Sequence, residues 1–556
     1  MPKSPAKPPA EKPAQSVVAN STVPSWRWGP TQGLLLAILA VAGYLRASHL
    51  GLLEFKGDEA NAAILAVKFA TGQMFPRVGL TYSVGVRQAP LYVYLLMPFF
   101  FISRSPAFFT ATYGLISTAA VGLCYWIGRR WFNERIGLVA AALFAVSPWA
   151  VIYSRKIWPQ DFMPVFCTVL VWMWYEFLIE KRRGYLMWIV LLSLAAWQVH
   201  LTASNLIATG GALWLLCRFP LDWKRIGIGI GINLLLLAPY VTFEMEQNWE
   251  DFRRASSVVE ASNQAEVYTV QGIHPQYGYP LPTRDQFGLL LSTVGGGQME
   301  DILGLSTAQF NAEDSVMRAL VKSLKLLFLC ALVMLAMTVI RKGQVTARFP
   351  YFDLTSEPRL TVLFLWVIMP VIFFSAVGLR TYLSYFSLTM PAIFLVLAWA
   401  LDSAQRFFSS RGGIGVVVQR GLWVVFALVT LGQFAYVEDL YGFLQREGGA
   451  RGTYGVVYEY KADLARRIAD DARTADPIMS RDWPPKTPVE NDIQYLVTMD
   501  LQGRSLPPQT GGPQTAFVVV DTRFRDPNEP EPPPNVPVQS FGPLRLYEIP
   551  YSPSTR

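Results

Sequence analysis

The sequence "GLLLAILAVAGYLRASHLGLLEFKGDEANAAILAVKFATG", residues 33–72, joins a membrane segment to a polar one. An apolar run long enough to cross a bilayer is followed almost at once by an acid pair, Asp58 and Glu59. After Gly57 the apolar residues recur at helical spacing, which predicts a second helix with Asp58 as its N-cap and Glu59 in its first turn. The pair therefore lies where the chain leaves the membrane, and helix capping is one explanation for it.

The composition is that of a polytopic membrane protein. Of the 556 residues, 52% are hydrophobic and 16% are charged, against about 25% charged residues in soluble proteins. The formal charge of +8 lies in short basic clusters between apolar runs, which is typical of cytoplasmic anchors and not of nucleic-acid binding. The four cysteines lie within apolar runs and have neither disulfide nor metal-site spacing. The N-terminus, residues 1–28, is rich in Pro, Ala and Lys and is predicted to be disordered and cytoplasmic.

Eleven apolar runs predict a mostly α-helical domain with eleven membrane spans, residues 29–440. The runs lie near residues 30–49, 106–128, 135–153, 162–180, 184–201, 203–218, 226–243, 316–340, 360–378, 383–401 and 414–436. A basic cluster follows every second run, which predicts a cytoplasmic N-terminus and an outer C-terminus in the cell (inner or plasma) membrane. The run at 89–102 is short for a span and is interpreted as a re-entrant or interfacial helix of a first outer loop, residues 50–105. A second long outer loop, residues 244–315, is a candidate lid or acceptor-binding element.

The tail, residues 441–556, is predicted to be a small soluble α/β domain outside the membrane. The segment 461–472, "KADLARRIADDA", has helical spacing. Three segments rich in β-branched and aromatic residues are interpreted as strands: "DIQYLVTMD" (492–500), "TAFVVVD" (515–521) and "LRLYEIP" (544–550).

Several ionisable residues are predicted at the same outer face as Asp58. Asp161 lies between two spans and emerges on that side, and a group of basic residues lies in outer segments or at span ends: Arg87, Arg155, Lys156, His200 and Arg380. Such positions in a membrane protein are functional candidates, although a snorkelling side chain explains each of them singly. Together they would provide cations for a phosphate and a carboxylate base for a hydroxyl.

Four segments carry a family resemblance: "YLRASHLGLLEFKGDEA", "RQAPLYVYLL", "GRRWFNERIGLVAAALFAVSPWAVIYSRKIWPQDFMPVF" and "LRTYLSYFSLTMPAIFLVLAWAL". They resemble the GT-C glycosyltransferases, in particular the protein O-mannosyltransferase and lipid A aminoarabinose transferase group (family 39-like). The resemblance covers residues 30 to about 240 well, whereas the tail is similar only in architecture. The chain departs from the family pattern in having no Arg between Arg104 and Arg129, and Ala89 where a second Pro is common.

The resemblance implies transfer of a sugar from a polyprenyl- or dolichyl-phosphate carrier to an acceptor hydroxyl at the outer face, with inversion. Asp58 would be the general base, Glu59 its catalytic neighbour, and Asp161 the second acidic position. Contacts to the donor phosphate would come from Arg87, Arg155, Lys156, Arg380 and His200. No cofactor is expected to be required, although a divalent cation held by the three acids is left open. The expected partners are the carrier-linked donor, a glycan, lipid or protein acceptor, and membrane lipids, but no nucleic acid.

Two other functions remain open. A transporter or flippase of lipid-linked sugars would use the outer charges as a gate, but it should also carry internal repeats and charges near the bilayer midplane, and none is evident. A non-catalytic scaffold is the other alternative. The sequence does not identify the sugar, the acceptor or whether the carrier has one phosphate or two.

Overall fold

The fold is taken from a computed structural model. It describes residues 29–81, 86–256, 283–295, 315–342, 344–345, 352–353, 357–450, 454–474, 476–482, 485, 487–502, 514–523 and 535–551. The helices of these residues are α1 (Pro30–Ala47), α2 (Gly57–Ala70), α3 (Leu91–Ile102), α4 (Pro106–Trp131), α5 (Glu134–Val146), α6 (Pro148–Ile152), α7 (Met163–Leu178), α8 (Tyr185–Val199), α9 (Ser204–Cys217), α10 (Trp223–Glu246), α11 (Glu250–Ser256), α12 (Gln286–Ser292), α13 (Ser315–Lys342), α14 (Pro358–Val377), α15 (Met390–Ser409), α16 (Gly412–Glu447), α17 (Tyr458–Asp471) and α18 (Asn491–Leu501).

Among the described residues, eight helices are long and apolar enough to cross a membrane. They are α1, α4, α7 with its preceding turn, α10, α13, α14, α15 with its preceding turn, and α16. Two of them, α10 and α16, are covered least by the rest of the protein, and large apolar side chains such as Leu235 and Ile414 are more than three-quarters exposed on them. Long helices that expose this much apolar surface are typical of proteins in contact with lipid. The chain is therefore a multi-pass membrane protein.

The other three predicted spans coincide with shorter helices. The segment 135–153 is divided into α5 and α6 at Ser147, because Pro148 disfavours a helical conformation at the residue before it. α8 and α9 have 15 and 14 residues. The predicted count of eleven spans and the predicted sidedness stay predictions. The short run at 89–102 forms a separate helix, α3, that packs against α2.

Close helix packing holds the first spans together. α4 packs against α1 and α5, and at the α4–α5 contact a Cβ on Gly128 would lie 2.8 Å from the Cα of Gly137. Only glycine permits this approach, as at other small-residue helix contacts in membranes. Arg46 of α1 is fully buried there, and its guanidinium donates to the Ala145 carbonyl at 2.7 Å and the Phe144 carbonyl at 2.8 Å. These bonds connect α1 to the end of α5.

The tail folds around a four-stranded sheet in which the last two strands of the chain exchange places in the spatial order. The short pairs β1 (Gln344–Val345) with β2 (Phe352–Asp353) and β3 (Gly449–Ala450) with β4 (Gly455–Val456) precede it, and the sheet itself comprises β5 (Ile478–Ser480), β6 (Gln514–Asp521), β7 (Val538–Phe541) and β8 (Leu544–Tyr551). β5 pairs parallel with β6, and the other pairs are antiparallel. The predicted helix and the two later predicted strands are present as α17, β6 and β8.

The predicted strand at 492–500 is wrong, because this segment forms the helix α18. Its buried apolar residues include Ile493, Leu496, Val497 and Leu501, which recur at helical spacing on one face. β-branched and aromatic content favoured a strand, but the burial of one helical face against the rest of the domain decides the structure.

The tail packs on the segment just before α2. The Tyr458 backbone N–H donates to the Leu53 carbonyl at 3.0 Å, and the Lys461 ammonium donates to the Phe55 carbonyl at 2.7 Å. Lys461 is buried and forms an ion pair with Asp492 of α18, which fixes its position. The extended segment that leads to the acid pair is therefore held by the tail. Most of the predicted lid, residues 244–315, lies outside the described residues, apart from the end of α10, α11 and residues 283–295.

Candidate functional site

The acid pair begins α2, but its two members face different environments. The helix starts at Gly57 with Lys56 as N-cap, so the prediction that Asp58 is the N-cap is wrong. Asp58 lies in the first turn and is exposed, whereas Glu59 is only 2% exposed. The Glu59 carboxylate, at the third position of the helix, reaches back to accept the backbone N–H of the N-cap residue Lys56 at 3.2 Å, as the acid of a capping box does. The Asp58 carboxylate is therefore left open to solvent.

A second carboxylate, Glu54, lies beside the pair and was not identified by the sequence reasoning. Its side chain is 3% exposed; one oxygen lies 2.9 Å from the Lys56 ammonium, and the other forms an ion pair with the buried Lys156 ammonium. Burial alone would raise the pKa of Glu54, but Lys156 and Lys56 outweigh it and hold that pKa below its usual range. Glu54 thus connects the segment before α2 to the turn after α6.

Asp161 lies in the turn that precedes α7 and is 1% exposed. Neither of its carboxylate oxygens has a hydrogen-bond partner within the described part of the chain. Its backbone carbonyl accepts a hydrogen bond from the Tyr113 hydroxyl at 2.8 Å. The centre of the adjacent Phe162 ring lies 4.7 Å from that of the Tyr113 ring and 5.6 Å from that of the Tyr92 ring. A buried carboxylate without a partner is costly, so a ligand that donates a hydrogen bond or brings positive charge would be stabilised there.

These acids form one electrostatic group, which we call the acid–lysine cluster: Glu54, Asp58, Glu59, Lys156 and Asp161. Asp161 interacts with Lys156, Glu59 and Glu54, and the buried Tyr92 interacts with Asp58, Glu59 and Asp161. The cluster combines an exposed acid with three buried acids and a buried cation. Such a group can accept a proton at its surface and neutralise an anion at its base.

Burial and the neighbouring Glu54 carboxylate raise the pKa of Glu59 from its ordinary 4.5 to about 7. In the unfolded chain Glu59 ionises near its ordinary value, so between these two pH values the folded protein holds a proton that the unfolded chain has lost. Folding stability is therefore expected to fall by roughly 3 kcal/mol as the pH rises from 4.5 to 7, and then to level off.

The check is the apparent unfolding temperature in detergent across this pH range for the parent and Glu59→Gln. Glutamine can still accept the Lys56 N–H but does not ionise, so the variant should lack this component of the decline. An identical slope in both proteins would show that Glu59 does not titrate there.

Arg155 binds the backbone at the end of α1 and does not face the acids. Its guanidinium donates at 2.6–3.2 Å to four backbone carbonyls at the end of α1, those of Leu45, Arg46, Ser48 and His49. It also lies 4.9 Å over the Tyr441 ring of α16. A helix C-terminus leaves such carbonyls without intrahelical partners, and a guanidinium with several fixed donors satisfies them together.

We expect Arg155→Lys to lower the free energy of unfolding by about 2–3 kcal/mol, because one ammonium cannot reach four carbonyls and some stay buried without a donor. Donor affinity should be unchanged. Thermal unfolding in detergent and donor titration measure the two effects, with the exposed Arg183→Lys as control. Unchanged stability with weakened donor binding would instead assign Arg155 to the donor site.

Three other residues predicted to contact the donor phosphate, Arg87, His200 and Arg380, lie elsewhere in the structure. The Arg87 guanidinium lies 2.8 Å from the Asp251 carboxylate and 4.5 Å from the centre of the Phe243 ring, so it connects the segment before α3 to α10 and α11. His200 is buried, with Nδ1 2.8 Å from the Thr202 hydroxyl. Arg380 is half-buried and precedes Thr381, whose backbone pairs with residue 283. Of the predicted basic residues, Lys156 is the one that the contacts described above place in the acid–lysine cluster.

The acids predicted as a possible cation site do not form a metal-binding group in the structure. Within the described ranges, no three His, Cys, Asp or Glu side chains are arranged so that they could hold a metal ion. Both Asp161 oxygens are without a partner among the described residues, but Glu59 already accepts a backbone N–H.

Comparison with known proteins gives a structural likeness and no sequence relative. No protein-family model and no curated protein sequence matches the chain. ArnT from Cupriavidus metallidurans bound to undecaprenyl phosphate is similar with a TM-score of 0.53 and 14% identity, over 93% of this chain and 98% of ArnT. The apo form of that protein is similar with a TM-score of 0.50 and 14% identity, over 94% of this chain and 98% of ArnT. The Archaeoglobus fulgidus oligosaccharyltransferase in its apo form has a TM-score of 0.46 and 13% identity, over 80% of this chain and 58% of that one.

At this identity the likeness establishes the fold and nothing more. This chain matches ArnT along nearly the whole length of both proteins. The predicted fold class, a mostly helical membrane protein with a small α/β tail, is therefore confirmed, and its fold is similar to that of ArnT.

Proposed function

We propose that the protein is an inverting glycosyltransferase that moves a sugar from a polyprenyl-phosphate carrier to an acceptor hydroxyl at the outer face of the membrane. The observation that carries this proposal is the position of Asp58: an exposed acid on the first turn of α2, beside the buried members of the acid–lysine cluster. The fold supports it, since the similar ArnT structure holds undecaprenyl phosphate.

In the proposed reaction, Asp58 takes the proton of the acceptor hydroxyl while the hydroxyl oxygen attacks the anomeric carbon. The bond from that carbon to the carrier phosphate oxygen breaks, and its electron pair leaves on the phosphate. One displacement of this kind inverts the anomeric centre. The exposed position of Asp58 on the first turn of α2 leaves its carboxylate within reach of an acceptor hydroxyl, as a general base requires.

Lys156 is the proposed cation for the departing phosphate. Its ammonium is buried and held by Glu54, so a donor phosphate would compete with Glu54 for it. A buried ammonium stabilises growing phosphate charge more than an exposed one, because water screens it less. Asp161, also buried, is proposed to accept a hydrogen bond from the sugar or the acceptor through its unpartnered oxygens.

Glu59 is proposed to act by holding the start of α2 in place, since its carboxylate is engaged with the Lys56 N–H. The tail domain has a related role, because Lys461 and Tyr458 hold the segment just before α2. We place this assembly and the tail outside the cytoplasm, in accordance with the distribution of basic clusters.

Removal of the protein from cells, followed by mass spectrometry of lipids and glycans, tests the proposed function. A polyprenyl-phosphate sugar should accumulate, and one class of glycan, glycolipid or glycoprotein should lose a single sugar. The lost product would identify sugar and acceptor. Unchanged glycolipids and glycans under conditions in which the protein is normally present would contradict the proposal.

A further inference from the structure

A cavity of about 820 Å³ lies between α7, α8 and α10, away from the acid–lysine cluster. Its lining includes Trp172, Tyr185, Trp188, Lys224 and Arg225. Its volume is within the range of about 300–1,000 Å³ in which small-molecule sites usually fall.

The cavity and Asp161 lie toward opposite ends of α7. Asp161 precedes the first residue of α7, whereas Arg182 and Gly184 of the cavity follow its last residue. The 16 residues of α7 correspond to roughly 24 Å of helix. A ligand in this cavity would therefore bind at the membrane face opposite to the proposed reaction.

The polar rim of the cavity is cationic. Arg182, Lys224 and Arg225 line it together with a single carboxylate, Asp222. Arg225 forms an ion pair with Asp222, and Arg182 lies 3.0 Å from Glu176. Lys224 is exposed at the start of α10. With Glu176 counted beside Asp222, three cations face two carboxylates, and this excess of one positive charge favours an anion.

The rest of the lining is apolar and aromatic. The Trp172 ring packs edge-on against the Tyr185 ring with centroids 5.6 Å apart, and Trp188 and Ile228 are 49% and 42% exposed. Both lie on helices, α8 and α10, whose neighbours leave this side open. Amphipathic aromatic rings at this depth are typical of the boundary between headgroups and acyl chains.

We propose that this cavity binds the headgroup of an anionic phospholipid, with Lys224 and Arg225 at the phosphate and an acyl chain along Trp188 and Ile228. The cationic rim matches the anionic headgroup of such a lipid, and the apolar wall matches its acyl chain. Basic pockets between membrane helices recognise anionic headgroups in this way. The bound lipid would fix the contact between α8 and α10.

The test is native mass spectrometry of the purified full-length protein with added phosphatidylglycerol or phosphatidylcholine. The parent should bind phosphatidylglycerol in preference, and Lys224→Glu should weaken this binding roughly tenfold, because a charge at the rim is reversed. The matched control is Arg183→Glu, which makes the same charge change at an exposed residue of the adjacent loop that does not line the cavity. This control should bind phosphatidylglycerol within about twofold of the parent.

Equal binding of both lipids by the parent, or equal losses in the two variants, would overturn the proposal. Displacement of phosphatidylglycerol by excess inorganic phosphate would also overturn it, since the site would then select a free anion and not a lipid. Both variants lie at exposed positions, so both are expected to fold, and the apparent unfolding temperature in detergent checks this.

Discussion

Replacement of Asp58 by asparagine should reduce sugar transfer about 10²–10⁴-fold, the contribution that a positioned general base usually makes. Asparagine has nearly the same size and can still accept a hydrogen bond, but it cannot take up the proton of the acceptor hydroxyl. Asp58 is exposed and caps no helix end, so the loss should come without a loss of stability. Initial rates with saturating donor, together with donor affinity and unfolding temperature, measure the effect.

The matched control is Asp463→Asn, an exposed acid of α17 that pairs with Arg466 on the surface of the tail. It should retain the activity of the parent. If Asp58→Asn keeps transfer within a few-fold of the parent, the proton acceptor is another group. A lost activity that returns at higher donor concentration would place Asp58 in donor binding instead.

Replacement of Lys156 by methionine is expected to have the second largest effect. Methionine fills much of the same volume but leaves the donor phosphate without its buried cation, so turnover should fall about 10²–10³-fold. The free energy of unfolding should also fall, by about 2–4 kcal/mol, because Glu54 would keep only Lys56 as a partner in a buried position.

The double variant Glu54→Gln with Lys156→Met separates these two effects. It removes both buried charges and should recover much of the lost stability, since the cost of the single variant is chiefly the uncompensated Glu54 carboxylate. Transfer should stay low in the double variant. Recovery of transfer together with stability would show that Lys156 only supports the fold.

The helical segments were predictable because their signals are local. A run of about 20 apolar residues specifies a membrane helix. The shorter run at 89–102 is a helix, α3, and its assignment as a re-entrant or interfacial helix stays a prediction. The segment 492–500 failed because its side chains favour a strand locally, whereas its helical apolar face is buried in the tail.

Residues of the candidate site were predictable only where their type and their position relative to the apolar runs indicated a function. Asp58, Glu59 and Asp161 were identified as outer acids, and the structure places them in one electrostatic group. Glu54 was missed because its importance depends on Lys156, which lies about a hundred residues away. Arg155 and Lys156 are adjacent in sequence, yet one satisfies the carbonyls at the end of α1 and the other faces the acids. A linear sequence does not contain that difference, because it arises from how the turn after α6 packs.

The most direct test of the central claim is an assay of the purified protein in vesicles that contain a labelled polyprenyl-phosphate sugar. We predict that the parent moves the label from the carrier to an acceptor and releases free polyprenyl phosphate, and that Asp58→Asn does neither while still binding the donor. A label that stays on its carrier and only changes leaflet, equally in the parent and in Asp58→Asn, would contradict this and identify a flippase.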